Sequence, residues 1–503
     1  MTASYALRSA TCSSFSLVAV VFGAADMRPS LPAPQLYDPS NNWGRGRRDA
    51  TRRNSRPARF PRGTVRRGHP CVTFLNGPPS PTVEARGRRI GARVPETCDV
   101  VIIGGGVIGC AIAHRLAARG TSVVLVDAGQ RLGLGASDGA MGGILTQTEP
   151  SCLGPLSSVI KRSRDVYPQW LEEIRAASGV EVPVLDGGDI QVALDEAEME
   201  RLESKVLPQW KNSPFAVERL TAADARNLEP LLSERVVGGF LLPEELALDP
   251  RVLMAALTTA VLSGRTPIRV LSAVRATGLR TGPRGVEVDL HDGRRVSAEQ
   301  AVVAAGHLSG VFLPRHRAHL FPIKGVAFDV RPPGAVTYPL RHHIFAEIKQ
   351  DGREYFPYLV PRHDGRVAVG VTYEENVGDV TVTAAAIEEI RRGVAALMPR
   401  AATWPIGRRW AGLRPGSADH MPILGHVDDH GRVVAATGHS GLGVTLAPVT
   451  AELVAALVGG TAGARESELL AVCRPDRPFP PAPAAPAPPV PPTPPVSPPP
   501  TVR

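Results

Sequence analysis

The chain has 503 residues, 43% of them hydrophobic, and a formal charge of +9, enough for two to four domains and a large core. Residues 1–96 hold sixteen arginines, no lysine and five acidic residues, a net +11, so residues 97–503 sum to −2. A body so close to neutral argues against nucleic acid as a partner, and without a run of 18 or more apolar residues no membrane span is expected.

In chain order, residues 1–96 read as a disordered basic N-terminal extension. Runs such as WGRGRRDATRRNSRPARFPRGTVRRG are too poor in apolar side chains to fold alone. A translated upstream region, a targeting presequence and a nucleic-acid arm are the open readings. FSLVAVVFGAA, residues 15–25, has the length of a signal-peptide core, but its flank holds a single basic residue, Arg8.

CDVVIIGG then reads as a buried parallel strand, residues 107–119 as a helix, and SVVLVDA as a second strand, together a βαβ unit. Gly104, Gly106 and Gly109 stand at GxGxxG spacing where strand gives way to helix. The first allows the tight turn, the second lets backbone approach a pyrophosphate, and the third lets helix pack on strand. The helix N-terminus, at Val107 and Ile108, favours an anion. Asp127 closes the second strand, with Ala128 after it, where a carboxylate accepts both hydroxyls of an unphosphorylated ribose. Spacing alone does not separate FAD from NAD.

Further on, VPVLDGGDIQVAL and the stretch from GVAFDV to GRVAVGVT alternate with period 2 and predict an antiparallel sheet. Residues 384–399 predict an amphipathic helix. The fold class is therefore α/β, in a two-domain α+β arrangement: a Rossmann-type nucleotide-binding domain (97–183, 247–316 and 405–472) interleaved with an antiparallel-sheet substrate domain (184–246 and 317–404). The six cysteines show neither CxxC spacing nor a Cys/His cluster, so no metal is expected, and free thiols suit a cytoplasmic location. Residues 473–503 read as a disordered tail, with fifteen prolines among the last thirty positions.

Several further stretches carry a resemblance. RLGLGASDGAMGGILTQTEP follows Asp127; LALDPRVLMAAL, AVVAAGHLSG, YLVPRHDGRVAVGVT, RRWAGLRPGSADHMPILG and ATGHSGLGVTLAP follow in that order. On these motifs residues 97–465 resemble the D-amino-acid oxidase-like family of FAD-dependent oxidoreductases, and look closest to its glycine oxidase and related amine oxidase members. The resemblance implies non-covalent FAD, contacted by Ser137, Met141, Gly142, Gly143, Val274, Ala305 and Gly306. It adds Gly438, His439, Gly441, Leu442, Gly443 and Val444 in the last signature. It also implies that Arg414 clamps a substrate carboxylate, an assignment that suits a planar guanidinium. Tyr358 is the aromatic candidate beside it, with Tyr355 as rival. Lys324 reads as a surface or sheet-edge lysine before a flavin-edge one, and His439 as a loop or flavin contact before a general base.

The implied activity is oxidation of a C–N bond in an amino acid or secondary amine by hydride transfer to flavin N5. The imine is hydrolysed and O2 is reduced to H2O2. A dehydrogenase using another acceptor and a non-catalytic flavoprotein module are the alternatives, and a homo-oligomer is compatible with either. One departure stands out: similar glycine oxidases tend to carry a second arginine in the last signature, where this chain has Gly441. One clear carboxylate partner remains, which puts strict glycine specificity in doubt.

Overall fold

A computed structural model of the protein describes residues 96–263, 268–334, 340–350 and 352–481. The expectations for residues 1–95 and 482–503 lie outside the described residues.

At the centre of the first sheet runs Glu96–Ile103. Val123–Val126 and Ile268–Leu271 lie in parallel on one side, and Arg295–Val303 and Val433–Thr437 in parallel on the other. On its other edge, ahead of Val433–Thr437, the first half of Arg295–Val303 pairs with an antiparallel hairpin, Ala276–Gly282 with Gly285–Leu290. Successive side chains on a strand face opposite ways. Val100, Ile102, Val123 and Leu125 therefore enter a core with the helices, while Val101, Ile103, Val124 and Val126 join Val286 and Val288 of the hairpin in a second one. Burial on both faces is why these strands read as unbroken apolar runs.

Four helices, Val107–Ala117, Ser157–Ser178, Pro250–Leu262 and Gly443–Val458, pack together on one face of the sheet. Pro250–Leu262 starts where its Asp-Pro pair predicts, with Asp249 accepting from the Arg251 amide at 3.0 Å. The segment Ser440–Val458 is long and apolar enough to cross a bilayer, yet 72% of it is buried, as befits a core helix. Pro448 cannot donate to the Val444 carbonyl one turn back. The Tyr167 hydroxyl donates there at 3.0 Å, and Ser163 donates to the Thr445 carbonyl at 2.6 Å.

The second sheet corrects three expectations. His343–Phe345 runs parallel to Asp189–Ala193, so the sheet is mixed and not purely antiparallel. Period-2 burial is absent: Asp189–Ala193 is buried at every position. Val326, Phe328, Leu359 and Val369 pack with helix Ala384–Leu397, whereas Ala327, Tyr358, Val360 and Ala368 join the core of the first sheet's helices, so both faces are covered. Finally, Ile406–Ser417 pairs along Leu320–Val330 and belongs to this sheet, although the sequence boundary at 405 places it with the nucleotide half.

The tail is also less free than its composition suggests. After helix Ala464–Cys473, Arg477 bonds both Asp419 carboxylate oxygens, at 2.6 and 2.9 Å, and Phe479 stacks on His319 at 4.5 Å between centroids.

Candidate active site

The glycine loop sits at the C-terminal ends of the parallel strands. Gly104 has a left-handed φ of +111°, and a Cβ there would lie 2.3 Å from the Ala304 carbonyl oxygen. At Gly109 a Cβ would lie 1.8 Å from the carbonyl oxygen of Gly104 itself, so helix Val107–Ala117 seats on its strand only without a side chain. No side chain of the N-cap residue caps this helix, and the Val107 amide donates to Ser137 Oγ at 2.9 Å. The Asp127 carboxylate accepts from the amides of Gly105 (2.6 Å) and Gly129 (2.8 Å) and is thereby aimed beside the loop. Gly443, which opens the last sheet-packed helix, lies against Val107, so two helix N-termini converge on one place.

Next to the Ser440–Leu442 turn that leads into that helix lies a polar cluster. Arg414 is paired in register with Ile323, and its guanidinium fills the space above Gly325, where a Cβ would be 2.4 Å from Nη1. It stands 5.6 Å from the Tyr373 ring centroid, donates to the Thr372 carbonyl at 3.4 Å, and makes no ion pair among the described residues. Burial pushes the guanidinium below its usual range, with Glu149 and Tyr373 drawing it back up. Burial likewise pushes the Glu149 carboxyl up, and Arg414 is the largest opposing influence.

The position of Glu149 is set by residues distant in the chain. Leu145 N–H donates to Thr445 Oγ1 at 2.9 Å, and the next three amides, of Thr146, Gln147 and Thr148, converge on Glu245 Oε1 at 2.9, 2.7 and 3.0 Å. Glu149 follows directly, and its Oε1 would be 2.3 Å from a Cβ on Gly441.

Other predicted residues fall elsewhere. Tyr358 is buried, hydrogen-bonded to His343 Nδ1 at 3.1 Å, with its hydroxyl over Gly143, so the aromatic partner of Arg414 is Tyr373. Tyr355 packs with helix Ala384–Leu397. Gly142 and Gly143 are small because protein fills the space: the Leu248 carbonyl lies 2.2 Å from a Cβ on the former and the Tyr358 hydroxyl 2.4 Å from one on the latter. Met141 packs on Gly370, and Val274 is held beside Asp127 by a backbone bond of 3.0 Å. Lys324 is buried and ion-paired to Asp379 at 3.0 Å, and it pairs in register with Leu413, on the face opposite Arg414. Paired on its other side with Glu374, it is neither the surface nor the sheet-edge lysine expected. His439 is buried against Thr450 Oγ1 at 3.0 Å, its pKa pushed down to about 3 by burial, and it stays neutral. Leu442 and Val444 are core residues, while Ala305, Gly306 and Gly438 line the strand ends beside the loop. Sequence reasoning missed Glu149 and Tyr373; the former stands in the quoted stretch ending TQTEP, without any spacing that marks it.

Comparison with known proteins decides the family. A family model described as FAD dependent oxidoreductase matches residues 99–457. The chain belongs to this family. It is 31% identical to a glycine oxidase of Geobacillus kaustophilus over 365 residues, covering 72% of this chain and 92% of that one. A glycine oxidase of Bacillus licheniformis is 27% identical over 72% of this chain and 93% of its own length. The crystal structure of the Geobacillus kaustophilus glycine oxidase superposes with a TM-score of 0.67 at 29% identity, covering 73% of this chain and 96% of that chain. This member of the FAD dependent oxidoreductase family is accordingly an amine or amino-acid oxidase that uses FAD.

The residues present fit that cofactor. Gly306, at φ +59°, has nothing within 4 Å of a Cβ position, so open space remains at the strand ends. The Val107 helix start suits a pyrophosphate and the Asp127 carboxylate a ribose.

Behind the site lie two buried acids. Asp189 Oδ2 accepts from Thr148 Oγ1 (2.9 Å) and Gln191 Nε2 (3.0 Å), while Oδ1 has no partner. Burial first, then Glu245, push its pKa up to about 7. A carboxyl whose folded pKa is raised binds more protons folded than unfolded, so its stabilising contribution is present below about pH 4 and lost as pH rises through about 7. Asp189→Asn should match the parent protein in stability near pH 4 and exceed it at pH 8 by on the order of 3 kcal/mol. Denaturant melts at both pH values check this, and parallel pH profiles for the two proteins would refute it.

Proposed function

We propose that this oxidase oxidises the C–N bond at a carbon bearing a carboxylate, in an amino acid or a secondary amine. Water then hydrolyses the imine, and O2 accepts the electrons to give H2O2. The observation that carries the reading is Arg414: a half-buried cation, without an ion-pair partner among the described residues, beside the turn that opens the Gly443 helix. Bound FAD supplies the two-electron acceptor. Arg414 grips the carboxylate bidentately and so fixes the carbon next to it, while Tyr373 flanks the guanidinium. The cradle of Gly104, Gly106, Val107, Asp127 and Ser137 would hold FAD without a covalent bond, as no cysteine lies on strand Ile406–Ser417. Cys110, Cys152 and Cys473 are buried free thiols, which supports a cytoplasmic location.

Exposing the FAD-loaded protein to amino acids and secondary amines should bleach the flavin band near about 450 nm. Peroxide should appear on admission of air. A flavin that is reduced and then stays reduced in air would replace O2 with another acceptor, and no bleaching by any amine would overturn the proposal.

A further inference from the structure

Two opposite charges face one another in the substrate site without forming an ion pair. Arg414 and Glu149 are each the other's leading electrostatic influence after burial, yet no salt bridge within 4.0 Å joins them or joins either to another described residue. The Glu149 side chain has one long hydrogen bond, from Ser151 Oγ at 3.4 Å. Its carboxylate leans over Gly441, where any Cβ would be 2.3 Å from Oε1 and 2.9 Å from Oε2. The space that a side chain at position 441 would take is therefore filled by the Glu149 carboxyl.

From this arrangement, and resting on the carboxylate-binding role of Arg414, we propose that Glu149 is the specificity-determining residue of the substrate site. Its carboxylate receives the substrate's charged nitrogen and rejects a second anionic group. The site is complementary to a zwitterion with one carboxylate and one amine. N-carboxymethyl amino acids and other dicarboxylates are excluded, because a second carboxylate would meet Glu149 with no cation at Gly441 to neutralise either. Charge opposition in a half-buried site is costly because protein screens it less than water does.

The test uses FAD-loaded full-length protein and ligands that cannot react. 2-Aminoisobutyrate has an amine but no α-hydrogen, isobutyrate has the same carboxylate without the nitrogen, and malonate has two carboxylates. Each is titrated by flavin absorbance and by calorimetry. Wild type should bind 2-aminoisobutyrate at least about tenfold more tightly than isobutyrate, with malonate weakest, the scale expected for a partly buried charge contact. In Glu149→Gln that preference should fall to about twofold or less and malonate should gain, while isobutyrate affinity holds or rises. Gly441→Arg, which sets a cation against Glu149, is the second variant, read the same way if Glu149→Gln fails to retain FAD. An unchanged preference in whichever variant retains FAD overturns the proposal. If isobutyrate binding survives Arg414→Ala, or no ligand binds wild type, the carboxylate-site reading falls and the proposal with it.

Discussion

Arg414→Ala should keep its FAD and lose about 3–5 kcal/mol of transition-state binding, a fall of roughly 10²- to 10⁴-fold in kcat/KM for any carboxylate-bearing substrate. The size follows from burial. The half-buried guanidinium is held above Gly325 and beside Tyr373, so truncation leaves an incoming carboxylate without its cation in a site that screens charge less than water does. Removing it also leaves Glu149 without its main positive neighbour, so that carboxyl should move further up and the site should lose its attraction for an anion. Arg414→Lys should recover part of the loss, because charge returns but the planar fork does not. Stopped-flow flavin reduction against substrate concentration measures the effect, with bound FAD per chain as the control. Catalysis within a few-fold of the parent would remove Arg414 from the substrate site.

Gly109→Ala should abolish FAD retention and cost about 3 kcal/mol or more in stability. The added methyl would sit 1.8 Å from the Gly104 carbonyl oxygen, a backbone atom that no rotamer change can move aside. Helix Val107–Ala117 would have to lift from Glu96–Ile103, pulling its N-terminus from Ser137 and from the start of helix Gly443–Val458. Gly120→Ala is the control: a left-handed glycine at φ +86° with open space around it, it should cost only the local backbone strain and leave FAD bound. Flavin absorbance relative to protein absorbance, together with thermal melts, distinguishes the two. Full FAD occupancy in Gly109→Ala would show that the loop tolerates a different seating.

The glycine loop and its strands were legible because the chemistry is local. Turn, helix start and acid lie within 24 residues of one another, from Gly104 to Asp127, and each residue type has a single reason to be there. Arg414 was legible through motif resemblance, since an isolated arginine in GLRPG carries no periodicity that marks a site. Alternation gives the face of Tyr358 but not its neighbours: His343 and Gly143 lie at its hydroxyl, and Glu149 is among the charges that act on it. Tyr373 and Glu149 escaped because distant parts of the chain bring them to Arg414: Leu320–Val330 aligns one through sheet pairing, and Glu245 holds the other through backbone amides. Period-2 burial failed in the second sheet for a related reason. Whether a strand is covered on one side or two depends on which helix arrives there, and residues 384–397 come from far downstream of Asp189.

One carboxylate oxygen of Glu245 gathers three successive amides just ahead of Glu149. It works as a mounting bracket whose bolt-holes are peptide groups. Directed evolution confined to pocket-lining positions would pass it over, although loosening the bracket would let the selective carboxylate drift and broaden the range of accepted amines.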